Sequence, residues 1–422
     1  SEHELKLGIF VSELDRTLHQ TPFPIQGFYL RTEEELRMLT SYCRRVYVDV
    51  PESREELAKG DALVPEHVRK ARLQGQKTYR LPPLQIRQPR HYAIQLPVGK
   101  EVRRAKGVLG ALRQALTRLH AREASPDTKV LRQVSSEMTA SVVRNPDAMI
   151  WLTRVRERND HAFRHAVNTA VWALVFGRHL GLETEVLENL CVSALLAQVG
   201  KLELSVDLLR PESELSDDEF AQYKQYVERG AGLLEGQYSP QVVNTVRFHR
   251  ERHNGTGFPQ GVLGDRIPLS ARILGLVDHY ETLIEPRASG TPMTPAQAVA
   301  SLYDARDLSF QGDLVERFIQ AVGVYPTGSW VRLSDGRIGV VVTHAAERRL
   351  WPTVMVVADA QGNALRKGEL LDIADHNARC APADAVQVTE CLPAGTEPVD
   401  VSQYALAGES GWLGGWKSAL RA

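Results

Sequence analysis

The stretch "HRERHNGTGFP", His249 to Pro259, joins two imidazoles to a glycine-rich turn. Imidazole is the commonest protein ligand for a metal ion. His249 and His253 stand four residues apart, so a helix would place them on one face. On the alternative reading they merely flank the end of a surface helix. Asn254, Gly255 and Gly257 then form the turn that stops it, and Phe258-Pro259 closes the turn with an apolar contact. His161 and His165 repeat the spacing, at the edge of an apolar stripe of Phe163, Val167, Val171 and Leu174. They too read either as ligands or as packed histidines with no chemistry to do.

Four more segments set this stretch in order along the chain. "FRHAVNTAVWALVFGRHLGLE" carries His165, and "ALLAQVGKLELSVDLL" carries Ala197-Gln198 followed by Gly200 and Lys201. "YKQYVERGAGLLEG" opens its helix with Tyr226, and "ARILGLVDHYETL" carries Asp278. From Asp160 to Leu283 this succession resembles the HD-GYP domain, a helical phosphohydrolase family that hydrolyses the bacterial messenger cyclic di-GMP at a site of two or three metal ions. The resemblance implies metal ligands at His165, at the adjacent pair Ala197-Gln198 that should be His-Asp, at Tyr226, at His249 and Arg250, and at Asp278. It also aligns Asn254, Gly255, Gly257, Phe258 and Pro259 with the family's Gly-Tyr-Pro turn.

At four of these positions the side chain has lost its ligand character. Ala197 offers no lone pair and Gln198 only a neutral amide. Tyr226 offers a phenol that stays protonated with an ordinary pKa near ~10. Arg250 adds charge of the wrong sign. At ~4 Å and an effective dielectric of ~20, two unit charges interact by ~4 kcal/mol, and a divalent ion doubles that. His165, His249 and Asp278 keep the composition of a two-histidine, one-carboxylate set, but the resemblance assigns His249 to a different ion from the other two. No bound metal or other cofactor is therefore expected. The function expected is that of a catalytically inactive HD-GYP-like signalling protein, a pseudoenzyme that binds a protein partner or cyclic di-GMP without hydrolysis. The alternative is a metal-dependent cyclic di-GMP phosphodiesterase with a reduced site at His165, His249 and Asp278.

If cyclic di-GMP binds, cationic side chains must replace the metal ions. The candidates are Lys201, Arg250, Arg247 and Arg252, together with His249, since guanidinium grips phosphate oxygens in pairs. The competing reading has Arg250 pair with Glu251 or another carboxylate and close the cavity. By resemblance, the turn from Asn254 to Pro259 would meet a GGDEF-type diguanylate cyclase or another signalling protein.

The elements that must position these residues are mainly helical. The fold class expected is mainly α: an HD-type helical bundle over 151–325, a small N-terminal α+β domain over 1–60, and a small β appendage with a tail over 326–422. Residues 61–100 read as a basic linker with Lys70, Lys77 and Arg90, and 101–150 as connecting helices that leave room for a homodimer contact. In the N-terminal domain Leu7, Ile9 and Val11 alternate as a strand does, and Thr32 with Glu35 signals a helix start. Segment 184–196 reads as a buried helix. Ser216 with Glu219 and Thr294 with Gln297 read as capping boxes. Asp335-Gly336 reads as the turn of a hairpin between Val331, Leu333 and Ile338, Val340, Val342. Trp412 and Trp416 read as part of a docking tail.

Composition excludes little else. The chain has 422 residues, 43% of them hydrophobic and 24% charged, with a net charge of -1 that argues against a broadly basic nucleic-acid binder. Cys43, Cys191, Cys380 and Cys391 lack metal or redox spacing. No apolar run approaches the ~20 residues of a membrane span. A bacterial cytoplasmic protein is expected.

Overall fold

The computed structural model describes residues 10–14, 28–29 and 46–49, and residues 81–406 with short breaks. The expected N-terminal helix after Thr32, the basic residues Lys70 and Lys77, His161's side chain, Cys43, Trp412 and Trp416 lie outside the described residues. Strands β1 (Phe10–Leu14), β2 (Phe28–Tyr29) and β3 (Val46–Asp49) pair antiparallel in the order β2-β1-β3.

The rest is mainly helical, as its periodicity requires. Helix α1 (Val98–His120) buries Val102, Leu109, Leu112 and Leu116, and α2 (Thr128–Arg144) buries Leu131, Val134 and Met138. Both stripes feed one core. After α3 (Pro146–Trp151) the chain makes a π-helical turn, Leu152–Arg156, that the sequence reading did not anticipate. Within the stretch read as linker, residues 84–86 and 89–97 bond to the bundle. The Leu84 N–H donates to Asp313, the Arg90 N–H to the Gly181 carbonyl, and the Tyr92 hydroxyl to the Leu182 carbonyl, so this strap lies along the bundle.

The central pair is α4 (His161–His179) and α5 (Thr184–Leu196), the latter at the expected bounds. Short helices follow: α6 (Asp217–Tyr223), α7 (Tyr226–Leu234) and α8 (Pro240–Phe248). Next come α9 (Leu269–Ile284), α10 (Pro295–Asp304) and α11 (Gly312–Val322). The Ser216 and Thr294 capping boxes form as expected. Edge-to-face rings pin α4, α9 and α11 together: Trp172 to Tyr280 at 5.6 Å, Phe176 to Phe318 at 5.1 Å and Tyr280 to Phe318 at 5.1 Å.

The appendage is a five-stranded antiparallel sheet in the order β7-β6-β5-β4-β8. Its strands are β4 (Trp330–Leu333), β5 (Ile338–Thr343), β6 (Thr353–Ala358), β7 (Ala364–Asp372) and β8 (Val388–Leu392), with α12 (Ile373–Arg379) between the last two. Asp335 and Gly336 form the β4–β5 turn, Gly336 at φ +87. Alternation along β5 sends Val340 and Val342 to the helical core and Val341 to a second apolar cluster with Val331, Val354 and Val356. Strands β7 and β8 and helix α12 extend the appendage past the expected hairpin. Asp147, at the start of α3, accepts from the Thr327 hydroxyl at 2.7 Å and the Thr343 hydroxyl at 2.5 Å, which ties sheet to bundle.

Candidate functional site

Helices α4 and α9 lie side by side, and their polar residues meet in the bundle. His165 and Asn168 project from α4; Asp278 and Glu281 project from α9, and Glu285 caps it. His165 Nε2 lies 2.9 Å from Asp278 Oδ1, and Nδ1 lies 2.9 Å from Glu285 Oε2. Asn168 donates to Glu281 at 2.7 Å. All five residues are buried. Burial by itself would depress the imidazolium of His165, but the two carboxylates outweigh it and raise the pKa to about 10. Both ring nitrogens therefore donate. Burial would likewise lift Asp278, yet the His165 imidazolium holds it well below the usual carboxylate range.

Gln198 follows α5, and its amide lies 3.3 Å from the same Asp278 oxygen. Beyond Asp278 the site continues through His249, the C-cap of α8 and fully buried. Its Nδ1–H donates to the Val246 carbonyl at 2.6 Å, leaving the Nε2 lone pair to accept from the Tyr226 hydroxyl at 3.3 Å. Burial pushes this imidazole down to about 4, so it is neutral. Burial also raises the Tyr226 phenol above its ordinary range, so the proton stays on oxygen.

Arg250 follows at the surface of this layer. Its guanidinium lies 4.9 Å above the Phe258 ring, and Nη2 donates to both oxygens of Glu212 at 2.8 and 3.0 Å. The ammonium of Lys201 stands 5.3 Å from the Tyr223 ring and 5.1 Å from the Tyr226 ring. The structure thus brings Lys201, His249 and Arg250 together around Tyr226.

Two cations are placed elsewhere. Arg247 is bound to Glu228 at 3.0 Å and Glu235 at 2.6 Å on the outer side of α7 and α8. Arg252 lies over the Phe310 ring at 5.1 Å and donates to the His249 and Glu251 carbonyls. Arg250 thus pairs with another carboxylate, Glu212, as the competing reading allowed, and not with Glu251, whose carboxylate accepts from the N–H groups of Gln260, Gly261 and Val262. This carboxylate organises the loop after the turn. His253 is buried against Gly264 rather than sitting at the end of a surface helix. In the turn, Gly255 takes φ +78 while Asn254 accepts from the Thr256 N–H, and Phe258 packs on Tyr226 and Phe220.

The sequence reading missed Glu285, Glu281 and Glu212. Glu281 and Glu285 had a signal, since they follow Asp278 by three and seven residues and so return to the same helix face. Glu212 had none, because it reaches Arg250 from a loop 38 residues earlier.

Among the described residues no group of three or more His, Cys, Asp and Glu side chains is placed to hold a metal ion. The donors present do not fit a two-metal centre. Both His165 nitrogens are committed to carboxylates, the His249 lone pair faces the Tyr226 hydroxyl, and the residue that follows His249 carries a guanidinium, which offers no lone pair.

Comparison with known proteins places the chain. Residues 153–314 match the HD domain family, 330–380 match a KOW domain associated with HD domains, and 2–125 match a domain of unknown function. A cyclic di-GMP phosphodiesterase of Pseudomonas aeruginosa is 27% identical over 381 residues, covering 88% of this chain and 87% of the relative. A cyclic di-GMP phosphodiesterase response regulator of Xanthomonas campestris is 31% identical over 144 residues, covering 33% of this chain and 38% of that one. An HDG"Y"P protein from Bdellovibrio bacteriovorus, of known structure, is 17% identical with a TM-score of 0.45, covering 73% of this chain and 95% of that one.

These relatives correct two expectations. A chain similar to one curated phosphodiesterase over 88% of its length, and to others over shorter stretches, points to an enzyme, and the expectation of a pseudoenzyme is withdrawn. The expectation of no cofactor falls with it, because the phosphodiesterases of this family depend on metal. Among the described residues no helix is long and apolar enough to cross a membrane.

Proposed function

Since the chain is an HD-GYP domain protein, we propose that it acts on cyclic di-GMP, the nucleotide named for its curated relatives, at the layer of Lys201, Arg250 and His249 above Asp278. The observation that carries this reading is the pairing of two cations with aromatic faces at one edge of the site. Arg250 lies over Phe258, and Lys201 lies over Tyr223 and Tyr226. Cyclic di-GMP presents two phosphates and two purine faces, and cations set among rings can engage both.

What these residues do follows from their states. Arg250 supplies a fixed charge for a phosphate oxygen, and Lys201 a mobile one. Neutral His249, held by Val246 and Tyr226, keeps the floor of the layer rigid without adding charge. Because the donors do not fit a two-metal centre, turnover should run well below that of relatives that keep their ligands. The partner suggested by the turn, a diguanylate cyclase domain or another signalling protein, belongs to the same proposal. The turn offers Asn254 and Phe258 where the family's motif has other residues.

The test is a titration of cyclic di-GMP into the whole protein, with linear dinucleotide followed in parallel after addition of manganese or iron. Saturable binding in the micromolar range supports the reading. No binding up to millimolar nucleotide and no product would overturn it.

A further inference from the structure

The contact between Arg250 and Glu212 has the form of a bound ligand. A guanidinium that grips an oxyanion fully uses Nε and Nη2 as a fork, one nitrogen to each oxygen. Here Nη2 alone serves both oxygens of Glu212, at 2.8 and 3.0 Å, while the buried Nε has no hydrogen-bond partner. The Tyr223 hydroxyl donates to the same carboxylate at 3.2 Å. The Arg250 side chain is 13% exposed and the Glu212 side chain 39%. Glu212 sits on a single 3-10 turn, Glu212–Glu214, outside the helical bundle. The anchor is thus fixed in the body of the protein, and the anion is carried by a short surface segment.

We propose that Arg250 and Tyr223, beside Lys201, form a site for a phosphate-class oxyanion, and that Glu212 occupies it as an internal stand-in which the true ligand must displace. A tetrahedral phosphoryl group can reach Nε and Nη2 together, so exchange completes the fork that the carboxylate leaves half used. Displacement costs the Glu212 contacts, which sets a threshold on ligand affinity. The site deepens the cyclic di-GMP reading, on which it rests for the identity of the phosphate.

The experiment measures binding of inorganic pyrophosphate and, separately, cyclic di-GMP to the whole protein as wild type, E212A, E212Q and the double variant E212A/R250A. E212A should bind pyrophosphate at least tenfold more tightly than wild type, E212Q by a smaller factor, and the double variant should lose the gain. Equal pyrophosphate affinity in wild type and both single variants would overturn the proposal, as would a gain that survives in E212A/R250A. Pyrophosphate gain without cyclic di-GMP binding upholds the anion site and sinks the nucleotide reading. If melting curves show E212A to be unfolded, E212Q against E212Q/R250A makes the same comparison.

Discussion

At Asp278 a buried carboxylate has its charge answered by the protonated ring of His165. His165 bridges it to Glu285, each contact 2.9 Å long. Removing one member of a buried ionic set leaves the others uncompensated, which costs about 3–5 kcal/mol. Asp278→Asn should therefore lower the unfolding free energy by that order in a urea titration, and an unchanged midpoint would refute the ionic account. Glu212 gives the pH counterpart. Its carboxyl is depressed in the folded state, so its contribution is present above the ordinary carboxylate range and is lost as pH falls through the folded pKa. Glu212→Gln should flatten the acid limb of the stability profile, and an acid limb that keeps its slope would argue against the pair. That His165 and Asp278 belong to one site was legible in the sequence, because the motif fixes their places. Their partners were legible only as a periodicity on α9, and Glu212 was hidden because loop contacts leave no period.

Between elements, close approach decides. Gly200 lies where a Cβ would fall on the Tyr226 carbonyl oxygen and the Gly230 nitrogen, so the turn after α5 and the start of α7 touch backbone to backbone. Gly232, inside α7, has nothing within 4 Å of a Cβ position. Gly200→Ala should destabilise by about 1–3 kcal/mol through overpacking, and should also move Lys201 and Tyr226. Gly232→Ala should stabilise by about 0.5–1 kcal/mol. Thermal melts of the two variants shifting in the same direction would contradict this packing. Helix α5, the two capping boxes and the β4–β5 hairpin were all readable, since each rests on local spacing. The strap over 84–86 and 89–97 was not. Its Pro-broken, basic sequence looks like linker, and only its long-range bonds to Asp313, Gly181 and Leu182 reveal that it is packed.

Over the whole molecule, the sheet is coupled to the bundle through a buried acid. Asp147 receives the hydroxyls of Thr327 and Thr343, while β5 turns Val340 and Val342 into the helical core. Asp147→Ala leaves those hydroxyls without their acceptor at a cost of about 1–3 kcal/mol. It should raise hydrogen exchange in β4 and β5 while α4 and α9 stay protected; uniform exchange across both would show that sheet and bundle do not separate there. The main outline, a helical core with a β appendage, follows from a change of hydrophobic period along the chain. The way the two join does not, because it depends on a single acid meeting two threonines nearly two hundred residues away. One calorimetric titration tests the cationic layer of this assembled molecule. With cyclic di-GMP as titrant, wild type should give a saturable heat and Arg250→Ala, shown folded by its melting curve, should bind at least tenfold more weakly. Equal affinity in the two proteins would contradict the account.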